Sequence, residues 1–302
     1  MSKYQIVTNC WNDDCLRASF NELTRKVYGF SFEEWYQSGY WSGTYIPHSV
    51  VLDGRVVANV SASRMELRYR GQVFHAIQIG TVMTDPDLRG RGYAGLLMEQ
   101  VVRQYHGEAD FLYLMANSSV LDFYPKYGFQ RELEHAVLLD TAQLSGKPHA
   151  IRRLDTTLPE DRAILLRLAK AAVPMSDILY DQNGYNLRMF YLDFMRKDQL
   201  WYIEALDAIA VLEAEGNCMT LVDVVCRQRP PMRELLNTIL QASEGTVGEV
   251  AFGFTPVLDA SFEPRSLPVT ELDPEDTFFV RPGRLGRFPF EGDFRFPLLS
   301  LA

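Results

Sequence analysis

Val82-Met83-Thr84-Asp85-Pro86-Asp87-Leu88-Arg89-Gly90-Arg91-Gly92-Tyr93-Ala94 is the stretch on which the reading of this chain turns. On its left, Gln72 to Met83 is rich in strand-forming residues. On its right, Ala94, Leu97, Met98, Val101, Val102 and Tyr105 recur at helical spacing through His106. A strand therefore runs into a glycine loop that opens a helix. The start of a helix presents unpaired amides and the positive end of its dipole. Gly90 and Gly92 let the backbone approach a ligand closely, and Arg89 and Arg91 add positive charge. Together these features predict a cradle for a pyrophosphate. The loop is not a dinucleotide fingerprint, because Gly95 comes too early for Gly-x-Gly-x-x-Gly and no acidic ribose ligand ends a second parallel strand. Nor is it a P-loop, because no Gly-Lys-Ser or Gly-Lys-Thr occurs.

Upstream of this unit, Leu16, Phe20, Leu23 and Val27 share a helical face that Asn12 or Asp13 can cap. Phe32 to Tyr40 predicts a second, short helix. Ser49 to Leu52 and Arg55 to Met65 read as strands joined by the Asp53-Gly54 turn. Downstream come a short strand at Phe111 to Met115, a short helix from Val120 to Tyr127 ended by Gly128, and a strand at Val137 to Leu139. The order predicts antiparallel hairpins followed by a strand-helix-strand unit, an α+β fold.

Arg89-Gly90-Arg91-Gly92-Tyr93-Ala94, opening the helix after its strand, resembles motif A of the GNAT superfamily of acyl-CoA-dependent N-acyltransferases. Asn117-Ser118 followed by Asp122-Phe123-Tyr124-Pro125-Lys126-Tyr127-Gly128-Phe129 resembles the family's motif B, in the expected order and at the expected separation. The resemblance covers roughly residues 3 to 140. It implies acetyl-CoA as co-substrate, and transfer of its acetyl group to a primary amine by direct attack in a ternary complex. The strand end Val82, Met83 and Thr84 would pair with the pantetheine arm. Arg89, Gly90, Arg91, Gly92, Tyr93, Ala94 and Gly95 would hold the pyrophosphate, and Asn117 and Ser118 would contact the pantetheine or adenosine side. Tyr124 matches the tyrosine that protonates the departing thiolate. A phenol beside a leaving thiolate can donate a proton or a hydrogen bond to it.

The base that frees the acceptor amine is left open. Many relatives carry a carboxylate on the strand here running Ala76 to Val82, and this chain has none there. Glu33 and Glu34, in the second helix where relatives often bind the acceptor, are one candidate, and a water chain is another. The tandem-GNAT Eis-type acetyltransferases end in a carboxylate that enters the active site, which makes Ala302 a third. With Trp35 and Tyr36, Glu33 and Glu34 form the expected acceptor-binding group, in a segment dense in aromatics from Phe30 to Tyr45 that otherwise reads as helix packing.

A turn-forming Ser145-Gly146-Lys147-Pro148 divides the chain into expected domains at 1–145 and 146–302. The second repeats the order of the first: helices near Leu165 to Ala172 and Leu187 to Phe194, then strands at Leu200 to Glu204, Ile209 to Glu213 and Met219 to Cys226. A helix around Met232 to Ile239 and strands at Glu249 to Phe254 and Phe278 to Val280 complete it. Arg227-Gln228-Arg229-Pro230-Pro231 stands where the glycine loop should be. Proline has no amide hydrogen, so this loop lacks donors that a pyrophosphate needs. The expectation is two tandem GNAT-like domains, each a mostly antiparallel twisted sheet flanked by helices, the second degenerate and not binding CoA.

Composition narrows the rest. The 302 residues are 47% hydrophobic and 23% charged, enough for real cores. No apolar run is long enough to predict a membrane span. A net charge of −9 disfavours nucleic acid as partner and is compatible with a cationic or amine acceptor, small-molecule or peptide. Four cysteines without metal-ligand spacing predict no metal and a reduced, cytoplasmic protein. A homo-oligomer is compatible with the sequence. A retained fold that binds acyl-CoA as a non-catalytic sensor or interaction protein is the alternative to an enzyme.

Overall fold

In the computed structural model, which describes residues 4–301 other than 244 and 274, Asp13 starts the first helix by accepting bonds from the amides of Cys15 and Leu16 at 3.0 Å each. The strands are β1 (Gln5–Thr8), β2 (Tyr45–Leu52), β3 (Arg55–Tyr69), β4 (Gln72–Thr84), β5 (Phe111–Ala116), β6 (Gln130–Arg131), β7 (His135–Asp140) and β8 (Arg152–Arg153). They continue with β9 (Leu179–Asp181), β10 (Leu200–Ile203), β11 (Ala208–Glu215), β12 (Cys218–Cys226), β13 (Glu249–Phe252), β14 (Arg265–Pro268) and β15 (Thr277–Pro282). The helices are α1 (Asp14–Tyr28), α2 (Glu33–Gln37), α3 (Tyr93–Tyr105), α4 (Pro159–Lys170), α5 (Tyr185–Phe190), α6 (Met232–Ile239) and α7 (Val269–Leu272). The helix expected over Val120 to Tyr127 is two short 3-10 turns, Ser118–Val120 and Tyr124–Tyr127, because Pro125 cannot supply an amide to a continuous helix.

Two sheets form two bodies, as expected for tandem GNAT-like domains. The first runs β1-β2-β3-β4-β5-β15-β6, with β9 beside the end of β3, and the second β14-β7-β13-β12-β11-β10-β8. Each is antiparallel apart from one pair, β4 with β5 and β12 with β13. α3 buries Leu97, Met98, Val101 and Tyr105 against the first sheet, and α6 buries Leu235, Leu236 and Ile239 against the second.

A division at residue 145/146 does not separate the sheets. β7 lies in the second sheet, between β14 and β13, and β15 lies in the first, paired with β5 from Thr277↔Ala116 to Pro282↔Phe111. The expected assignments of Val137 to Leu139 and Phe278 to Val280 are therefore exchanged. Alternation marks a segment as a strand, but not the sheet it joins. Phe279 makes the consequence concrete: it is fully buried in the core of the first body.

Glu134 stands where the chain crosses from β6 to β7. Its Oε1 accepts the Phe296 amide at 2.6 Å, and its carbonyl accepts the Val269 amide at 2.8 Å. Burial pushes its carboxyl from an ordinary 4.5 up to about 8, while the Phe296 amide pulls the other way. A group whose folded pKa is raised stabilises fully below its unfolded pKa, here about 4.5, and loses that contribution as pH climbs through about 8. Melting temperature should therefore fall as pH rises from about 4.5 to about 8, and Glu134→Gln should flatten that fall in a calorimetric pH series.

Candidate functional site

β4 and β5 pair only over Ala76↔Phe111, Ile77↔Leu112 and Gln78↔Tyr113. Beyond Gln78 they part, and β4 runs on to Thr84 with no strand paired on its β5 side among the described residues. A bulge accompanies the divergence. β3 pairs Asn59 with Met83 but Ser61 with Gly80, so Thr81 and Val82 together oppose Val60. Thr81 takes φ +46°, a left-handed conformation that costs a β-branched residue dearly. Asn59 holds it there: Nδ2 donates to the Thr81 carbonyl and to Ser61 Oγ, both at 2.9 Å, while Oδ1 accepts Ser49 Oγ at 2.9 Å. The Tyr45 and Thr81 hydroxyls share a 2.5 Å bond, and Tyr28 at the end of α1 donates its hydroxyl to the Val82 carbonyl at 2.7 Å. Crowding of that hydroxyl pushes the Tyr28 phenol up to about 12, against the pull of Arg89. Met83 buries its side chain against Thr24 of α1, so at this position only the backbone is free to meet a ligand.

The loop that follows is fixed at its base. Asp85 accepts the Asp87 amide at 3.0 Å, and Lys26 reaches Asp85 at 2.6 Å and Asp87 at 2.8 Å. Lys26 holds the Asp85 carboxyl below its ordinary value. Gly92 caps α3 with φ +82° and no side-chain cap, and the first bond inside the helix is Leu96 N to the Gly92 carbonyl. The amides of Tyr93, Ala94 and Gly95 are thus unpaired within the helix. Arg89, Gly90, Arg91 and Gly92 are exposed, and the two arginines make no ion pair among the described residues. A Cβ on Gly95 would lie 2.6 Å from the Tyr127 hydroxyl, so only glycine lets α3 approach the second short turn.

Tyr124 opens that turn and is 6% exposed. Phe123, Phe129 and Phe279 surround its ring at 5.2, 6.3 and 5.8 Å. Burial, with a smaller contribution from Tyr28, raises its phenol well above the ordinary 10. It stays protonated at neutral pH, so its hydroxyl hydrogen is present as a donor.

Other expected residues are placed differently. Asn117 accepts the Ser119 amide and hydroxyl, and the Ser118 hydroxyl meets the Glu275 carboxylate at 2.7 Å. Glu33 is tied to Arg17 at 3.2 Å, Asn21 at 2.9 Å and Gln37 at 2.8 Å, a brace between α1 and α2. Glu34 points to solvent, and Tyr36 stacks on Trp11. Of the expected acceptor group, Trp35 alone lines the cavity beside Thr81. Ala302 lies outside the described residues. The strand polarity of Asn59, inside the buried run Val56 to Ala62, was the one sequence signal for the bulge. No local signal points to Phe279.

In the second body, β12 and β13 also pair in parallel only briefly, from Cys218↔Glu249 to Leu221↔Phe252. There the opening is filled. Leu298 donates its amide to the Gly253 carbonyl at 2.9 Å, and Leu299 is buried among Val222 and Val225. Arg227 and Arg229 are neutralised by Asp207 at 3.1 Å and Asp177 at 2.7 Å. With Pro230 and Pro231 lacking amide hydrogens, this loop is no anion cradle.

Comparison with known proteins agrees with the first body's geometry. Residues 14–131 match the family model described as an acetyltransferase (GNAT) domain. Over residues 14–131 the first body is similar to GNAT domains. Solved structures share the fold over nearly the whole chain. A probable N-acyltransferase from Enterococcus faecalis is 13% identical, with a TM-score of 0.56 over 94% of this chain and 74% of its own. A GCN5-related N-acetyltransferase from Kribbella flavida is 17% identical, with 0.54 over 93% and 71%. Eis1 from Mycobacterium abscessus is 12% identical, with 0.52 over 93% and 73%. Among curated proteins, none matches the sequence.

If Asn59 holds the bulge in β4, Asn59→Ala leaves the Thr81 carbonyl and the Ser49 and Ser61 hydroxyls without their partner. Denaturant unfolding should show a loss of about 2–3 kcal/mol. Tyr45→Phe, which removes one hydroxyl, should cost only about 1 kcal/mol.

Proposed function

We propose that this chain is a cytoplasmic N-acetyltransferase that moves the acetyl group of acetyl-CoA to a primary amine by direct attack in a ternary complex. The observation that carries the reading is the meeting of three features: the opening between β4 and β5, the unpaired amides at the start of α3, and the buried, protonated Tyr124. The amides from Gly90 to Gly95, with Arg89 and Arg91 beside them, hold the pyrophosphate. The free edge of Val82, Met83 and Thr84 pairs with the pantetheine arm. Asn117 and Ser118 form the opposite lip, and Ser118 exchanges Glu275 for the co-substrate. Tyr124 gives its proton to the departing thiolate.

Residues 1–145 supply this machinery, with β15 lent from the other end of the chain to wall Tyr124. Residues 146–302 form a degenerate copy whose opening is filled by its own chain. The four cysteines are free thiols, which fits a reducing compartment. The walls beside Thr81 carry no carboxylate among the described residues. This favours an amine whose ammonium proton goes to solvent before attack.

Tyr124→Phe tests the reading. It should lower kcat for CoA-thiol release at least about 100-fold, with acetyl-CoA binding by calorimetry changed by less than about threefold. Unchanged release would remove Tyr124 from the mechanism.

A further inference from the structure

A cavity of about 260 Å³ opens beside the bulge. Thr81 and Tyr28 line it, and these residues also shape the β4 edge where the thioester would lie. The segment before α2 and α2 itself supply Phe30, Phe32 and Trp35, and the second body supplies Leu187, Phe190 and Tyr191. Met195, 46% exposed, and Leu301 complete the lining. The cavity is therefore built jointly by both bodies and borders the β4 bulge at Thr81.

Its polarity is distinctive. Each polar side chain in the lining is already paired with protein. The Tyr28 hydroxyl donates to the Val82 carbonyl, Trp35 Nε1 to the Asn186 carbonyl at 2.9 Å, and the Tyr191 hydroxyl to the Leu301 carbonyl at 2.5 Å. The Tyr45 and Thr81 hydroxyls pair with each other. No charged residue lines the space among the described residues. A polyhydroxylated or polycationic body entering here would lose water and find few hydrogen-bonding partners and no opposite charge among the described residues. A flat apolar body would meet aromatic walls on several sides. The volume exceeds the roughly 150 Å³ of an engineered cavity that binds benzene, and it suits a ring system with a short linker.

We infer that the acceptor is an arylalkylamine, a primary amine on a short chain from an aromatic ring, with the ring in this cavity and the nitrogen at Thr81. The inference rests on the acetyl-transfer reading above. The apolar walls favour the neutral amine, because desolvation disfavours its charged form. The nitrogen lone pair forms the new N–C bond and the C–S bond breaks. The thiolate takes the Tyr124 proton, which is then restored from solvent, and the amide nitrogen loses its extra proton to solvent.

The test measures kcat/KM for CoA-thiol release with 2-phenylethylamine, tryptamine, spermidine and kanamycin, using acetyl-CoA and octanoyl-CoA. A parallel tryptophan-fluorescence titration follows 2-phenylethylamine binding. The expected result is kcat/KM for the arylalkylamines at least about tenfold above that for the polycations with acetyl-CoA. Met195→Glu, an exposed substitution at the cavity, should raise KM for 2-phenylethylamine by about tenfold and leave acetyl-CoA affinity as it was. Preference for spermidine or kanamycin would overturn the inference while leaving acetyl transfer standing. Higher kcat/KM with octanoyl-CoA than with acetyl-CoA would assign the cavity to the acyl chain and also overturn it. Acetyl-CoA binding with no turnover, and no saturable 2-phenylethylamine binding, would do the same. Absence of acetyl-CoA binding would instead defeat the transfer reading itself.

Discussion

One buried carboxamide sets the geometry on which the site depends. Asn59 spends its two amide hydrogens on the Thr81 carbonyl and Ser61 Oγ, and its oxygen on Ser49. With those bonds made, a threonine can sit in a left-handed conformation inside a strand. The bulge re-aims β4 just past its last pairing with β5, and a parallel pair becomes an open cleft. The β4 edge left by β5 and the apolar cavity both border this one irregularity.

The second constraint is long-range. The first body is completed by β15 and the second by β7, so neither sheet is whole without chain from across the midpoint. The exchange places Phe279 against Tyr124 and puts Glu134 and the Phe296 amide together at the crossing. The same C-terminal stretch then fills the opening between β12 and β13 and reaches the aromatic cavity at Leu301. A duplicated cleft is thereby kept in one body and occupied in the other.

Much of this was legible in the residues. The strand, glycine loop and helix around Arg89 to Gly92 stand as expected, because each rests on local chemistry: alternation, unpaired amides and glycine's tolerance of positive φ. The tandem fold was legible for the same reason. The partners of Val137 to Leu139 and Phe278 to Val280 were not, since pairing between strands so far apart in sequence leaves no local trace. Glu33 looked like an acceptor ligand because its charge is visible in sequence while Arg17 and Asn21, its partners, belong to a different helix. The apolar character of the cavity was hidden similarly. Its tyrosines and tryptophan carry polar atoms, and only the folded arrangement shows that each is already paired.

In the proposed enzyme the first body alone holds the co-substrate, along the β4 edge and the start of α3. Amide hydrogen exchange with and without acetyl-CoA tests it most directly. New protection is expected at Val82 to Thr84 and Gly90 to Gly95, with Arg227 to Arg229 unchanged. Protection centred on the Arg227 to Arg229 loop, or none at the start of α3, would contradict it.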